Sequence, residues 1–305
     1  MKRVEFLLRS LMFVPGDNDR LLESASRSHA DGLIFDLEDA IQPVENKQIA
    51  RDKVTGYIKS GVFKNFYVFP RVNSRESGQL LKDVYALTIE GIDGFMYPKA
   101  KAAADISFFD KLLEAIEYEK SFPVGTFKII PLIETTGAVL NAAEICRASD
   151  RIIAIAFGCE DFISDLGGIH DEEGQSIFTA RAIIAMAARA NNKIPIDTPH
   201  IKVHDLVDLE KNLKMAKKLG FEGMLILNPK ELPLCHTYFS PGEQEIREAE
   251  EIVKSYEEAL ANNKGTTMLN GKFIDTPLVT AAQKVLKKRA LIDRIVSQRH
   301  VNTSS

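Results

Sequence analysis

Three carboxylates lie within four residues near the start of the chain, directly after an apolar run. In GLIFDLEDAI, residues 32–41, the apolar triplet LIF gives way to Asp36, Glu38 and Asp39. Carboxylates beside a buried run repel one another and resist desolvation, so they need facing cations, a metal ion or solvent. Helix capping is the alternative explanation for any single one of these acids.

Two further acids, Glu134 in PLIETT and Asp161 in FGCEDF, follow consecutive apolar runs later in the chain. Mg²⁺ prefers oxygen ligands, keeps several waters and often takes only one or two protein carboxylates. Two acids that leave coordination positions open for substrate oxygens would therefore suit a catalytic magnesium site. The alternative is an ordinary ion pair of either acid with Arg71 or Lys99.

Two arginines are candidates for holding an anionic substrate. Arg71 in FPRVNS could bind a substrate carboxylate through two parallel hydrogen bonds, or form a structural ion pair with Asp36 or Glu38. Arg20 follows the turn VPGDN and lies in the first turn of a predicted helix. A cation combined with the free amides of a helix start could bind a phosphate group.

Lys99 in YPKA opens a different chemistry, because a desolvated lysine can form a Schiff base with a carbonyl substrate. An ion pair is favoured, since nearby carboxylates raise the pKa of a lysine and oppose the free amine. His200 and His204 have the four-residue spacing of a helical zinc pair. Pro199 directly precedes them and argues against a regular helix there.

Eight short apolar runs must position these residues. Continuous apolar character indicates strands buried on both faces of a parallel sheet, and helix-like segments lie between the runs. Eight strands alternating with helices predict the α/β class and a (β/α)₈ TIM barrel, in which strand ends converge on one mouth. The runs are SLMFVPG, GLIFDLED, FYVFPRVN, GFMYPKA, KIIPLIETT, IIAIAFGCED, IPIDTP and GMLILNP.

Residues 1–239 are predicted to form the barrel, and residues 240–305 a C-terminal helical extension and lid. In the extension, Ser240 is a candidate N-cap, Pro241 a first-turn residue and Gly265 the end of a long charged helix. A turn, a short extended piece and another helix follow. The extension is too small for an independent core, so we expect it to pack on the barrel or on a neighbouring subunit.

Composition restricts the class of protein. The chain has 305 residues, a net charge of −4, 45% hydrophobic and 27% charged residues, which is ordinary for a globular protein without a broad basic face for nucleic acid. Three widely spaced cysteines fit a reduced, cytoplasmic setting. Arg9 interrupts the apolar N-terminal stretch, which argues against a signal peptide, and the apolar runs are too short to span a membrane.

The order of the motifs resembles one known family. RSLMFVPGDNDR, GLIFDLEDAI, PRVNS, YPKA, PLIETTGAV, FGCEDFISDLG and LNPKEL follow one another as in the citrate lyase beta-subunit-like family of the HpcH/HpaI aldolase superfamily. The tail LNGKFIDTPLV also resembles that family's C-terminal motif. The resemblance extends from about Arg9 to Leu291.

This resemblance implies Mg²⁺-dependent carbon–carbon cleavage of a 3-hydroxyacyl thioester of citryl, citramalyl or malyl type, giving an acetyl thioester and a keto acid. It places Glu134 and Asp161 at the metal-ligand positions and Arg71 at the substrate-carboxylate position. Arg20 falls where relatives contact the thioester carrier. Asp275 in GKFID matches a lid acid that in several relatives reaches the active site of an adjacent subunit. From the residues alone, Asp275 could equally be a turn or N-cap residue.

The subfamily stays open. Asn228 and Pro229 in LNP, expected to bind substrate, resemble citrate lyase beta subunits, whereas LIETTGAV resembles free-standing members. The resemblance implies a CoA or acyl-carrier-protein thioester, a homo-oligomer (trimer or hexamer) and, in one subfamily, citrate lyase alpha and gamma subunits. Alternatives are a malate-synthase-like condensing enzyme, a keto-acid aldolase or a non-catalytic thioester-binding subunit.

Overall fold

The structure, a computed structural model, describes residues 5–171, 174–262 and 265–303. The chain divides into two compact units, Met1–Cys235 and His236–Ser305. The domain boundary between residues 239 and 240 stays our prediction. Within the described residues, no helix is both long enough and apolar enough to cross a membrane.

The first unit contains an eight-stranded parallel sheet in the order β3-β2-β1-β8-β7-β6-β5-β4, surrounded by helices. Each predicted apolar run contributes one strand, so the predicted TIM barrel is confirmed. The strands are β1 (Ser10–Pro15), β2 (Gly32–Asp36), β3 (Tyr67–Val68), β4 (Gly94–Tyr97), β5 (Lys128–Ile133), β6 (Ala154–Phe157), β7 (Ile194–Asp197) and β8 (Gly223–Ile226).

The barrel closes beside a residue of the candidate site. Strand β3 is only two residues long, and the contact between the two edge strands is made just beyond it. The Met96 amide donates to the Pro70 carbonyl at 3.0 Å, and the Val72 amide donates to the Met96 carbonyl at 3.3 Å. The Arg71 amide donates to the Phe35 carbonyl at 2.9 Å. The backbone of Arg71 is therefore fixed between β2 and β4.

Helices follow the strands of the barrel, and residue types suited to helix ends bound two of them. Asn18 caps the first helix through its side chain. Gly220 ends the ninth in the left-handed region at φ 93°, where glycine carries no Cβ penalty. The helices are α1 (Asp19–Ser26), α2 (Asn46–Lys59), α3 (Leu80–Leu87), α4 (Ala103–Glu119), α5 (Thr136–Leu140), α6 (Ala142–Arg147), α7 (Cys159–Leu166), α8 (Gln175–Ala190), α9 (Leu206–Leu219) and α10 (Leu232–Phe239).

The second unit contains α11 (Glu243–Ala261), a two-stranded hairpin and α12 (Thr276–Thr303). The N-cap of α11 is Gly242 rather than the predicted Ser240. The predicted extended piece is the antiparallel pair β9 (Thr267–Leu269) and β10 (Lys272–Ile274). Asn270 and Gly271 join the strands at φ 50° and 77°, as a two-residue turn that follows the strand twist requires.

Candidate active site

The three acids of the DLED stretch have three different environments. Both carboxylate oxygens of Asp36 are hydrogen-bonded. Oδ1 accepts a hydrogen bond from Arg71 Nε at 2.8 Å, and Oδ2 accepts one from Arg71 Nη2 at 2.6 Å. The same two oxygens also accept the amides of Glu38 at 2.8 Å and Ala40 at 3.2 Å. Asp36 therefore anchors Arg71, and the structural ion pair that the sequence left open is present.

Glu38 lies beside the same arginine but is bonded differently. The residue is 5% exposed, with Oε2 at 3.1 Å from Arg71 Nη1 and Oε1 at 3.1 Å from Lys99 Nζ. Apart from these two ion-pair contacts, neither oxygen has a hydrogen-bond partner among the described residues. Burial raises the pKa of Glu38, although the charge of Arg71 acts in the opposite direction. Glu38 is thus a buried carboxylate with unused acceptor capacity.

Asp39 completes the cluster at its solvent edge. Its side chain is 57% exposed, and its Oδ2 accepts a hydrogen from Arg71 Nη1 at 3.2 Å. Water reaches the Asp39 carboxylate and screens its charge, so this contact contributes little to stability. Asp39 is therefore a rim residue of the site.

Lys99 connects the DLED acids to Glu134. Its φ of 52° is uncommon for a residue with a side chain, and its amide donates to Glu134 Oε1 at 2.6 Å. Burial alone would lower the pKa of the amine, but the charges of Glu38, Asp39 and Glu134 outweigh it and raise the pKa. The amine is therefore charged at neutral pH, which opposes the Schiff-base chemistry considered from the sequence.

Glu134 follows β5 and is 2% exposed. Burial raises its pKa to about 8, with further contributions from the negative charges of Glu38 and Asp161. A Cβ on Gly158 would lie 3.0 Å from Glu134 Oε2 and 3.1 Å from Glu134 Cβ. Because Gly158 has no side chain, the Glu134 carboxylate can occupy the space beside it.

Asp161 lies in the first turn of α7, directly after β6, and is exposed. The described residues contain no cluster of three or more His, Cys, Asp or Glu side chains placed to hold a metal ion. The donor set of Glu134 and Asp161 nevertheless fits Mg²⁺, which often takes two carboxylates and completes its shell with water. A cation there would also offset the electrostatic repulsion between the two acids.

Glu134→Gln should change stability in a pH-dependent way that reports on this repulsion. In EDTA, the parent should lose stability as the pH rises from 5 to 9, because a carboxyl with a raised folded-state pKa favours folding only while protonated. The neutral variant should therefore melt about 3–8 °C higher than the parent at pH 9 and similarly at pH 4.5. Thermal denaturation followed by circular dichroism measures this difference.

Mg²⁺ should stabilise the parent at pH 8 and leave Glu134→Gln unchanged, since ligand binding stabilises only the state that binds. Glu160→Gln is the matched control. Glu160 is an exposed neighbour of Asp161 whose side chain contacts His170 at 3.1 Å. An equal Mg²⁺ response in the parent and in Glu134→Gln would remove Glu134 from the ligand set.

A second group of buried polar residues holds the DLED backbone and was not identified from the sequence. Lys47 Nζ and Asn73 Nδ2 each donate to the Leu37 carbonyl at 2.8 Å. Asp83 Oδ2 accepts a hydrogen bond from the backbone amide of Asn73 at 2.8 Å, and Asp83 Oδ1 accepts one from Arg51 Nη1 at 2.7 Å. Only the position of Asn73, two residues after Arg71, could have indicated such a role.

The three remaining barrel residues predicted to bind substrate are Arg20, Asn228 and Pro229. Arg20 is exposed in the first turn of α1. Asn228 caps the short 3₁₀ helix Pro229–Glu231 by accepting the Lys230 amide at 3.0 Å, and its Nδ2 donates to the Val203 carbonyl at 3.3 Å. Roles for Arg20, Asn228 and Pro229 in substrate binding stay predictions.

Three polar residues lie at or just after the end of β7: Asp197, His200 and His204. Asp197 is fully buried and pairs with Arg181. The stretch 198–205 is not helical, so the helical zinc spacing of His200 and His204 is not realised. The two ring nitrogens of His200 instead face the Asp205 carbonyl at 3.2 Å and the Asn212 amide group at 3.3 Å.

Asp275, in the second unit, has the geometry of a helix N-cap. Its Oδ1 accepts the Leu278 amide at 3.1 Å, and its carbonyl accepts the Val279 amide at 3.0 Å at the start of α12. This is the capping role that the residues alone allowed. Its role as a lid acid stays a prediction.

Comparison with known proteins gives the same family as the motifs. The family model HpcH/HpaI aldolase/citrate lyase matches residues 9–229. The chain is 33% identical over 283 residues to citrate lyase subunit beta of Leuconostoc mesenteroides subsp. cremoris, covering 93% of each protein. It is 28% identical to an L-malyl-CoA/beta-methylmalyl-CoA lyase of Cereibacter sphaeroides, covering 93% of this chain and 95% of the relative.

Solved structures agree with the fold. A citrate lyase from Burkholderia xenovorans LB400 superposes with a TM-score of 0.83 at 18% identity, covering 95% of this chain and 93% of the other. A citrate lyase beta subunit from Mycobacterium tuberculosis, complexed with oxaloacetate and magnesium, has a TM-score of 0.63 at 25% identity, covering 77% and 99%. The chain therefore belongs to the HpcH/HpaI aldolase/citrate lyase family of carbon–carbon lyases.

Proposed function

We propose that the protein is a Mg²⁺-dependent lyase that cleaves a 3-hydroxyacyl thioester of citryl, citramalyl or malyl type into an acetyl thioester and a keto acid. One observation carries this proposal. Glu134, a carboxylate suited to bind a metal ion, and Arg71, an anchored cation, belong to the same barrel mouth. Glu134 lies in a space left by Gly158, and Arg71 is fixed by Asp36. Named relatives act on citrate and on malyl-CoA.

Glu134 and Asp161 would hold the metal ion. When bound, Mg²⁺ supplies Lewis-acid polarisation of the substrate oxygen that becomes the ketone. The magnesium and oxaloacetate complex of the M. tuberculosis beta subunit supports a magnesium ion as the cofactor. The backbone amide of Lys99 donates to Glu134 Oε1 and keeps the carboxylate oriented. This hydrogen bond does not involve Oε2.

Arg71 would bind the carboxylate of the keto-acid part. Asp36 occupies the Nε and Nη2 hydrogens that face it, so a substrate carboxylate would use the outer edge that carries Nη1. Nη1 contacts Glu38 at 3.1 Å and the exposed Asp39 at 3.2 Å, so the substrate carboxylate would replace Asp39 there. Binding there offsets the charge of the acid fragment and fixes the adjacent carbinol carbon.

The remaining assignments follow the family motif. Asp275 would protonate the thioester enolate, or deprotonate the acetyl thioester in the condensation direction. Arg20 would contact the CoA or acyl-carrier-protein part of the thioester, while Asn228 and Pro229 would contact the acyl part. The described cysteines are free and buried, which accords with a cytoplasmic enzyme.

A homo-oligomer, trimer or hexamer, is our proposal for the assembly. The similarity to citrate lyase beta subunits allows alpha and gamma subunits as further partners. The similarity to a malyl-CoA lyase supports an enzyme that works without them.

Activity should require a divalent metal ion and no Schiff base. Citryl-CoA, citramalyl-CoA and malyl-CoA should be assayed separately for acetyl-CoA release. We expect at least one thioester to be cleaved with Mg²⁺, EDTA to abolish the cleavage, and added Mg²⁺ to restore it, because the metal compensates charge that forms on the ketone oxygen. Full activity in EDTA with borohydride trapping on Lys99 would favour the lysine chemistry instead.

A further inference from the structure

We propose that Glu38 is the catalytic base that accepts the proton of the substrate hydroxyl group during carbon–carbon cleavage. This inference rests on the proposed function, which requires such a base but does not identify it. The loss of a hydroxyl proton must accompany formation of the ketone, and a positioned carboxylate can accept it.

Elimination among the mouth carboxylates points to Glu38. Both oxygens of Asp36 already accept hydrogen bonds, two each. Asp39 is 57% exposed and lies at the rim. Glu134 and Asp161 form the proposed metal site. Glu38 is buried, and apart from its ion-pair contacts with Arg71 and Lys99 its oxygens have no hydrogen-bond partner within the described part of the chain.

Buried carboxylate oxygens are normally hydrogen-bonded, because removing them from water without a partner is unfavourable. Glu38 has fewer partners than Asp36, since each of its oxygens contacts one cation only, Arg71 Nη1 or Lys99 Nζ, at 3.1 Å. The two cations keep the carboxylate in place, and each oxygen retains a second lone pair that does not face its cation. A substrate hydroxyl is a donor that would use one of these lone pairs.

The position of Glu38 suits the chemistry of the proposed substrates. In citryl, citramalyl and malyl thioesters, the carbon that carries the hydroxyl also carries a carboxylate. If that carboxylate binds at the outer edge of Arg71, the hydroxyl is held on the carbon next to it, close to the guanidinium. Glu38 contacts that same edge through Nη1, so the base and the hydroxyl lie beside one arginine.

The backbone at Glu38 is held by groups other than its own carboxylate. Its amide donates to Asp36 Oδ1 at 2.8 Å. The neighbouring Leu37 carbonyl accepts from Lys47 and Asn73, at 2.8 Å each. Loss of the carboxylate charge should therefore leave the local structure intact, which permits a clean test.

The proton and electron balance is complete without an additional reagent. The Glu38 carboxylate takes the hydroxyl proton, and the O–H electron pair forms the carbonyl of the keto acid. The carbon–carbon bond breaks, and its electron pair forms the thioester enolate, which an acid then protonates to the acetyl thioester. Protonated Glu38 returns its proton to water at the mouth when the products leave. Burial makes its carboxylate a stronger base than an exposed glutamate.

Glu38→Gln separates this role from a structural one. We expect cleavage of the thioester that the parent accepts to fall by roughly 10²–10⁴-fold, the usual effect of losing an acid–base group. Deuterium exchange into the methyl group of acetyl-CoA, measured in D₂O with Mg²⁺ and oxalate, needs no hydroxyl proton transfer and should stay within about threefold of the parent. Glu45→Gln, the same change at an exposed glutamate, should leave both rates unchanged.

Equal losses of cleavage and exchange would overturn the proposal, because they would show a general disturbance of the site. Cleavage within tenfold of the parent would also overturn it. If Glu38→Gln does not fold, Glu38→Met, which also lacks the carboxyl group, is measured instead and must show the same separation of cleavage from exchange. If the parent itself cleaves none of the three thioesters, the proposed function fails, and Glu38 loses its assignment with it.

Discussion

Arg71→Ala should lower the free energy of unfolding by about 3–5 kcal/mol, the range observed when one partner of a buried ion pair is removed. The guanidinium makes two short hydrogen bonds to Asp36 and lies 3.1 Å from Glu38. Without it, two buried carboxylates would lose their principal counter-charge. Urea denaturation monitored by circular dichroism measures the change.

Arg75→Ala is the matched control for this variant. Arg75 is exposed and stacks on the Phe108 ring at 4.8 Å, so its loss should change stability by less than about 1 kcal/mol. If Arg71→Ala is no less stable than Arg75→Ala, Asp36 and Glu38 do not depend on Arg71 for charge compensation.

Arg71→Lys separates substrate binding from this structural contribution. Lysine keeps the positive charge but cannot reproduce the fork that bonds Asp36 while leaving Nη1 outward. We expect the folded variant to bind pyruvate, oxaloacetate or glyoxylate at least about tenfold more weakly than the parent, as measured by isothermal titration calorimetry. Unchanged keto-acid affinity would remove Arg71 from the substrate site.

The barrel could be predicted because its strands are continuous apolar runs that end at polar residues. All five residues of β2 are buried, and the same pattern in the other runs predicted strands covered on both faces. The convergence of strand ends then brought Glu38, Arg71, Lys99 and Glu134 to one mouth without any knowledge of individual contacts.

The roles within the mouth could not be predicted in this way. Asp36, Glu38 and Asp39 cannot be distinguished in a pattern of charges. Only the fold determines which of them forms two hydrogen bonds with Arg71, which is buried beside it and which is exposed to solvent. Lys47 and Asp83 support the loop from helices α2 and α3, through contacts that no local spacing encodes. Local signals were also insufficient at α11, where Gly242 is the N-cap although Ser240 is the better capping residue type.

Asp275→Asn should reduce turnover by roughly 10²–10⁴-fold while leaving the second unit folded. Asp275 caps α12 through Oδ1, which accepts the Leu278 amide at 3.1 Å. Asparagine caps a helix about as well as aspartate, so the variant loses the acid and keeps the cap. Mg²⁺ and thioester binding should be nearly unchanged, because the acid acts on the enolate rather than on the bound ground state.

Asp275→Ser is the matched control, since serine also caps helices but provides no acid. Both variants should show the same melting temperature as the parent and the same loss of turnover. Exchange of the acetyl-CoA methyl hydrogens, which Glu38→Gln should retain, should be lost in both. Turnover close to that of the parent in Asp275→Asn would dismiss the lid acid altogether.

Subunit mixing tests whether Asp275 acts on a neighbouring copy. Asp275→Asn and Glu134→Gln proteins are each expected to fold and to be inactive when assayed alone. If the acid of one copy serves the metal ligands of another, each mixed oligomer can assemble a site in which both residues are intact, and activity should return after exchange. Mass spectrometry of differently tagged subunits establishes the exchange. Mixed oligomers that form but stay inactive would place Asp275 and Glu134 of each site on the same chain.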